Sequence, residues 1–222
     1  VPLATLYEWC RIARRILRGP AQVGRVIARP FVGEIGAFTR SAGRRDFSVV
    51  PPRECVLDAL AQVQIPTYAV GKIQDIFCGQ GIREARYSDS NDHGVDLTLE
   101  YLKRPEPAFV FTNLVETDML GGHLNDPRGF ADALEEFDAG LPDILAALRH
   151  GDLLVLTSDH GCDPTTPSTD HSREHALLIA HVPGAPLLSS RHDGDTFADV
   201  GATVMRVLTH ERAPDLPGTP VL

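Results

Sequence analysis

The sequence predicts an α/β fold in which a parallel-type sheet is flanked by helices, and three observations support this prediction. Short apolar runs of strand length recur along the chain, and amphipathic helical patterns lie between most of them. Acids and histidines follow two of the apolar runs, where open α/β folds place their ligands. Because strands separated by helices usually pair in parallel, we expect a parallel-type sheet.

The first predicted elements form an arginine-rich segment. Apolar residues recur every three or four positions through a first helix, at Leu3, Leu6, Cys10, Ala13 and Leu17. Gly19-Pro20 ends this helix, and a strand is predicted over 23–32. Arg25, Ile27 and Arg29 share one face of that strand, and Pro30 favours an edge position. Residues 33–52 lack periodicity and are predicted to form a long, functional loop.

The middle of the chain continues the alternation of helix and strand. A short helix is predicted over 55–63 and a strand over 67–70, with Gly71-Lys72 at the end of the strand. A further helix is predicted over 95–102, ending before Pro105. These elements extend the α/β pattern toward the second half of the chain.

The second half contains the most apolar strands. A buried strand over 109–115 precedes a long helix that begins with Asp126 as N-cap and Pro127 at the first helical position. Its apolar stripe reaches Leu148, and Pro142 is expected to bend or interrupt it. The remaining predicted elements are strands at 153–156 and 176–180 and a last helix over 197–208.

Composition excludes several functional classes. The chain has 222 residues, 43% hydrophobic and 23% charged, as in ordinary globular proteins of one or two domains. It has no apolar run of bilayer-spanning length, and its first residues lack signal-peptide character, so we expect a cytoplasmic protein without a membrane partner. The four cysteines form no CxxC pair, which favours free thiols.

Charge is distributed unevenly along the chain. The net charge of −9 argues against nucleic-acid binding, yet nine arginines and one acid lie between residues 11 and 45. This contrast suits a small anionic substrate held between arginines and metal ions. A boundary near 103–107 is therefore predicted to separate a basic domain, 1–104, from a domain that carries the acids and histidines, 105–222.

Three fragments carry potential metal ligands: Asp118 with His123, Asp159 with His160, and His171. Carboxylate and imidazole ligands without thiolates suit manganese(II), iron(II) or zinc in a non-structural site. Because two of the fragments follow separate predicted strands, we expect the fold to bring their loops together. Two carboxylates and three histidines exceed what one ion needs, which favours a two-metal site. The alternative is that these histidines only satisfy local turns and hydrogen bonds. The other histidines are expected to be surface residues: His93, His150, His181, His192 and His210.

Several motifs together resemble a known family. In the second half they are Asn113-Leu114-Val115 with Asp118 and Gly122-His123, Asp159-His160-Gly161 with Asp163-Pro164, and Thr169-Asp170-His171-Ser172-Arg173-Glu174. Earlier and later matches are 23–34, Phe38-Thr39-Arg40, Gly71-Lys72-Ile73 and 196–203. The set closely resembles the phosphopentomutase family of the alkaline phosphatase superfamily, over nearly the whole chain. Cys162 departs from the family, which usually has Asn there.

The resemblance implies a fold and an activity. It implies part of an alkaline-phosphatase-like core over 105–222 and most of a smaller α/β cap domain over 1–104. The implied reaction interconverts ribose or deoxyribose 1-phosphate and 5-phosphate through a phosphothreonine enzyme and a bisphosphate intermediate. Two manganese ions are implied as cofactors. By motif, Asp118, His123 and His171 would bind one ion, Asp159 and His160 the other, and Arg25, Arg40 and Lys72 the sugar phosphate.

The resemblance also implies that part of the catalytic centre lies outside this sequence. The family's threonine nucleophile and another metal-binding Asp are expected upstream of Val1, so only one metal site would be complete in protein ligands. We therefore expect this polypeptide alone to be inactive or nearly so. Two alternatives stay open: another phosphomutase or a phosphatase of the superfamily, or a noncatalytic metal-binding fragment.

Overall fold

The computed structural model of this chain describes residues 1–41, 43–185, 193–211 and 216–222. The chain divides into two units, one formed by residues 1–53 with 75–80 and the other by 54–74 with 81–222. No helix within the described ranges is both long and apolar enough to cross a bilayer.

The first unit places an amphipathic helix beside two short antiparallel strand pairs. Its elements are α1 (Leu3–Ile16), a 3₁₀ turn (Gly19–Ala21), β1 (Arg25–Ala28), β2 (Phe31–Val32), β3 (Thr39–Arg40) and β4 (Arg45–Ser48). β1 pairs with β4, and β2 pairs with β3. The Tyr7 hydroxyl of α1 donates to the Gly43 carbonyl at 2.7 Å, and its ring packs edge-on against Phe47.

Two predictions for this unit need correction. The strand predicted over 23–32 is broken at Arg29 and Pro30, where proline has no N–H to donate to a ladder. The loop predicted over 33–52 contains β3 and β4. The β4 sequence, Arg-Asp-Phe-Ser, shows little apolar alternation, so it gives no strand signal of its own. Its strand conformation depends on pairing with β1, which is distant in sequence.

The second unit contains a three-stranded parallel sheet flanked by helices, which confirms the predicted α/β class. β5 (Thr67–Val70) lies between β6 (Glu84–Arg86) and β7 (Phe109–Thr112). All four residues of β5 are buried, as the central position requires. The predicted boundary at 104 to 105 stays a prediction, although β5 and β6, from before it, share this sheet with β7.

Helices cover this sheet and build its core. They are α2 (Val56–Gln62), α4 (Asn91–Leu102) and α6 (Ala198–Thr209). The short α3 (Ile73–Ile76) follows β5 along the chain, and its residues are divided between the two units. Tyr68 and Val70 of β5 pack with Leu97 and Tyr101 of α4. A second cluster joins α2 to α6. The helix predicted from residue 95 begins earlier, because Ser90 caps it by accepting from the His93 N–H.

The remaining elements carry the candidate site. β7 leads through a π-helical turn (Thr117–Gly122) into α5 (Pro127–Ala147), which Asp126 caps as predicted. α5 is not interrupted at Pro142. β8 (Leu154–Thr157) and β9 (Leu178–His181) pair antiparallel. The parallel expectation was wrong for this pair, because a loop rather than a crossover helix connects its strands.

Candidate metal centre

The π-helical turn that follows β7 carries Asp118, so this residue lies beyond the carboxyl end of a strand, as the sequence predicted. The turn packs closely through its two buried glycines. A Cβ on Gly121 would lie 2.5 Å from the Phe130 Cα, and one on Gly122 would lie 2.3 Å from the Cys162 sulfur. Only glycine therefore allows this turn to approach both α5 and the loop that follows β8.

The loop after β8 brings two histidines together. The Ser172 N–H donates to the Gly161 carbonyl at 3.0 Å, which forms an isolated antiparallel bridge between the segments next to His160 and His171. A Cβ on Gly161 would lie 2.8 Å from the Ser172 carbonyl oxygen. The bridge therefore depends on glycine, and it holds the two imidazoles side by side.

Asp118, His160 and His171 converge on one point. Their candidate ligand atoms all lie within 4.8 Å of one another. The His160 and His171 rings stack with centroids 3.5 Å apart, and His171 Nε2 lies 3.6 Å from Asp118 Oδ1. That oxygen is buried and accepts no hydrogen bond from the described residues. A buried carboxylate oxygen that faces two imidazoles fits a divalent cation.

The other two predicted ligands adjoin this group. His123 Nδ1 lies 2.7 Å from the Thr169 carbonyl, which makes Nδ1 the donor and directs Nε2 to within 3.5 Å of Asp118 Oδ2. His160 Nε2 lies 3.4 Å from Asp159 Oδ1, on a side chain that is 73% exposed. His160 was predicted to bind a different ion from Asp118 and His171, yet all three lie in one group. The division of the five residues between two ions stays a prediction.

Cys162 is near the cluster but does not belong to the group of converging ligand atoms, which Asp118, His160 and His171 form. Burial raises the pKa of its thiol, and the carboxylates of Asp118, Asp163 and Glu174 raise it further. The Cys162 sulfur lies 2.3 Å from where a Cβ on Gly122 would be placed, so it packs directly against the π-helical turn.

The predicted sugar-phosphate residues lie in both units. Arg25 Nη1 is 3.4 Å from the Asp46 carboxylate, and Arg40 lines an open pocket with Arg29, Phe31, Phe38 and Thr39. In the second unit, Lys72 Nζ lies 3.4 Å from Met119 Sδ, next to Asp118 in sequence. The role of these three cations stays a prediction.

Other histidines occupy varied positions. His150 and His210 are exposed, His93 and His181 are half-buried, and His192 lies outside the described residues. The Thr169 carbonyl that orients His123 could not be identified from a side-chain pattern in the sequence, because the acceptor belongs to the backbone.

Known proteins are similar to this chain along most of its length. A family model described as the Metalloenzyme superfamily matches residues 40–212, which include all five predicted ligands. A phosphopentomutase of Anaeromyxobacter dehalogenans (strain 2CP-C) is 56% identical over 209 residues, covering 92% of this chain and 52% of that protein. One from Caldanaerobacter subterraneus subsp. tengcongensis is 49% identical, with 93% and 53% covered, and one from Clostridium novyi (strain NT) is 48% identical, with 95% and 54% covered.

The similarity is thus high along nearly all of this chain, while the chain spans about half the length of the curated relatives it matches. The superfamily implies a metal cofactor, and the Asp118, His160 and His171 cluster is a site able to hold one. On the match over residues 40–212, the chain belongs to the Metalloenzyme superfamily.

Proposed function

We propose that this chain forms the metal-binding part of a phosphopentomutase, which interconverts ribose or deoxyribose 1-phosphate and 5-phosphate. The observation that carries the proposal is the convergence of Asp118, His160 and His171 around a buried carboxylate oxygen without a hydrogen-bond donor among the described residues. The similarity to proteins named phosphopentomutase supplies the reaction class.

The metal ions are proposed to be two manganese(II) ions. Asp118, His123 and His171 would hold one, and Asp159 and His160 the other. Bound divalent cations supply charge that neutralises phosphate oxygens during phosphoryl transfer. The chain's own contribution is orientation: the Thr169 carbonyl fixes the His123 ring, and the Gly161–Ser172 bridge fixes His160 beside His171.

The substrate is proposed to be a pentose phosphate bound by Arg25, Arg40 and Lys72. Guanidinium groups can bind phosphate through paired N–H donors, and lysine adds a point charge. The Asp46 carboxylate, on a side chain that is 7% exposed, holds the Arg25 guanidinium near β1 and so limits its orientations. The pocket that includes Arg40 and two phenylalanine rings offers both charge and an apolar wall.

Manganese titration of this chain by calorimetry tests the metal centre. We expect binding that His171→Ala weakens by about 10-fold or more, because that imidazole would be a direct ligand. His150→Ala, which removes an exposed histidine, is the matched control and should leave the affinity unchanged. If the unmodified chain did not bind manganese, the metal centre would be refuted.

Turnover is tested on the complete gene product, since this chain spans about half of its relatives. Arg40→Ala should lower conversion of ribose 1-phosphate to ribose 5-phosphate while the manganese content stays constant. Arg18→Ala, an exposed arginine of the same basic segment, should not change turnover. Hydrolysis of the sugar phosphate without isomerisation would instead favour a phosphatase of the same superfamily.

A further inference from the structure

A buried asparagine is joined to the segment that leads into the Asp118 turn. Asn91, the first residue of α4, is 4% exposed. Its side-chain Oδ1 accepts the backbone N–H groups of Val115 at 3.0 Å and Glu116 at 3.2 Å. These two residues directly precede the π-helical turn, so one side chain of α4 fixes the entry to that turn.

The contact is reciprocal. The Asn91 backbone N–H donates to the Glu116 carboxylate at 2.7 Å. An N–H in the first turn of a helix has no partner within the helix, and a carboxylate is a favourable acceptor there. Asn91 at the start of α4 and the residues that lead from β7 into the π-helical turn are therefore joined by three hydrogen bonds.

The same segment begins the turn that carries the predicted ligand. The Val115 carbonyl accepts the Met119 N–H at 2.9 Å, and Asp118 directly precedes Met119. Val115 is thus held on its N–H side by Asn91 and on its carbonyl side by the turn. A shift of this residue would be transmitted to Asp118, whose carboxylate must stay near His160 and His171.

We infer that Asn91 is a positioning residue for the metal centre: it sets the place of Asp118 through the backbone of Val115 and Glu116. This inference rests on the metal centre proposed above. Its side chain acts as a double acceptor, so a substitute that accepts two N–H bonds at the same reach should replace it, and an apolar side chain of the same size should not.

The test compares manganese affinity with thermal stability in this chain. Asn91→Leu should weaken manganese binding by about 10- to 100-fold, the range found when partners that orient metal ligands are removed. Asn91→Asp should bind within a few-fold of the unmodified chain, because its carboxylate accepts the same two N–H groups. Affinity is measured by calorimetry, and Tm by circular dichroism.

Thr98→Val is the matched control. The Thr98 hydroxyl lies 2.6 Å from that of Thr112, so this pair also joins α4 to β7, but it lies away from the turn. Thr98→Val should lower Tm without changing manganese affinity. If Asn91→Leu does not fold, Asn91→Ser replaces it, since the shorter side chain cannot reach both N–H groups.

The outcomes separate the two proposals. Unchanged affinity in Asn91→Leu, or equal losses of affinity in Asn91→Leu and Thr98→Val, would overturn the positioning role while leaving the metal centre intact. No manganese binding by the unmodified chain would overturn the metal centre itself and this inference with it.

Discussion

Gly161→Ala is expected to disrupt the metal centre without touching a ligand. The added Cβ would lie 2.8 Å from the Glu174 nitrogen and from the Ser172 carbonyl oxygen. Both atoms belong to the backbone, so neither can rotate away. Ordinary contact at about 3.4 Å would require the two segments to separate by roughly 0.6 Å, against a tolerance of about 0.5 Å for preorganised sites.

This separation acts directly on the ligands. His160 precedes Gly161 and His171 precedes Ser172, so widening the bridge pulls apart two rings whose centroids are 3.5 Å apart. We expect manganese affinity to fall by about 10- to 100-fold. Overpacking of this kind should also lower the free energy of unfolding by about 1–3 kcal/mol.

The assay is calorimetric titration with manganese, paired with urea unfolding. Gly24→Ala is the matched control, because a Cβ there meets nothing within 4 Å. Gly24→Ala should change manganese affinity and the free energy of unfolding by no more than an ordinary surface substitution does. Affinity in Gly161→Ala equal to that of the unmodified chain would refute the argument that the bridge positions the histidines.

Two further predictions concern the sheet and helix α4. Leu97→Ala should lower the free energy of unfolding by about 2–5 kcal/mol in urea, because Leu97 is 2% exposed in the cluster between α4 and β5; a loss below about 1 kcal/mol would contradict that packing. Burial raises the pKa of Tyr101 to about 12, and Glu84 contributes to the shift. Since an unfolded tyrosine titrates near pH 10, the neutral phenol stabilises the fold fully below about pH 10, and this stabilisation is lost as the pH rises toward 12. Unfolding free energies measured from pH 9 to 12 should therefore fall more steeply for the unmodified chain than for Tyr101→Phe, and parallel curves would contradict this.

Local sequence signals predicted the parts of the fold that local physics determines. Asp126 with Pro127 marks the start of α5 because both act within one turn, and the apolar run at 67–70 marks β5 because it is buried on both faces. The β4 strand escaped prediction, since a partly charged edge segment pairs only because β1 lies beside it. The antiparallel direction of β9 was also not predicted, because apolar content identifies a strand but not its orientation.

In the candidate metal centre, too, local features could be predicted from the sequence, whereas contacts between distant residues could not. The ligand types at Asp118, His160 and His171 were visible in the sequence, because carboxylates and imidazoles are chemically conspicuous. The contacts that hold them in place were not visible. They are made by a carbonyl at Thr169, by glycines at Gly122 and Gly161, and by the side chain of Asn91.

These contacts explain why the candidate site depends on more than its ligands. Asp118 enters from a π-helical turn, whereas His160 and His171 enter from two segments joined by one bridge. Between the turn and the bridge, the Cys162 sulfur fills the space that a Cβ on Gly122 would occupy. The contact between the Cys162 sulfur and Gly122 thus sets the distance from the Asp118 turn to the histidine loop. Gly161 sets the distance between the two histidines. A variant that keeps every ligand but adds one methyl group at either glycine should therefore bind metal less tightly. At Gly161 the methyl group meets backbone atoms, and at Gly122 it meets the Cys162 sulfur, so in both places a packed neighbour must move.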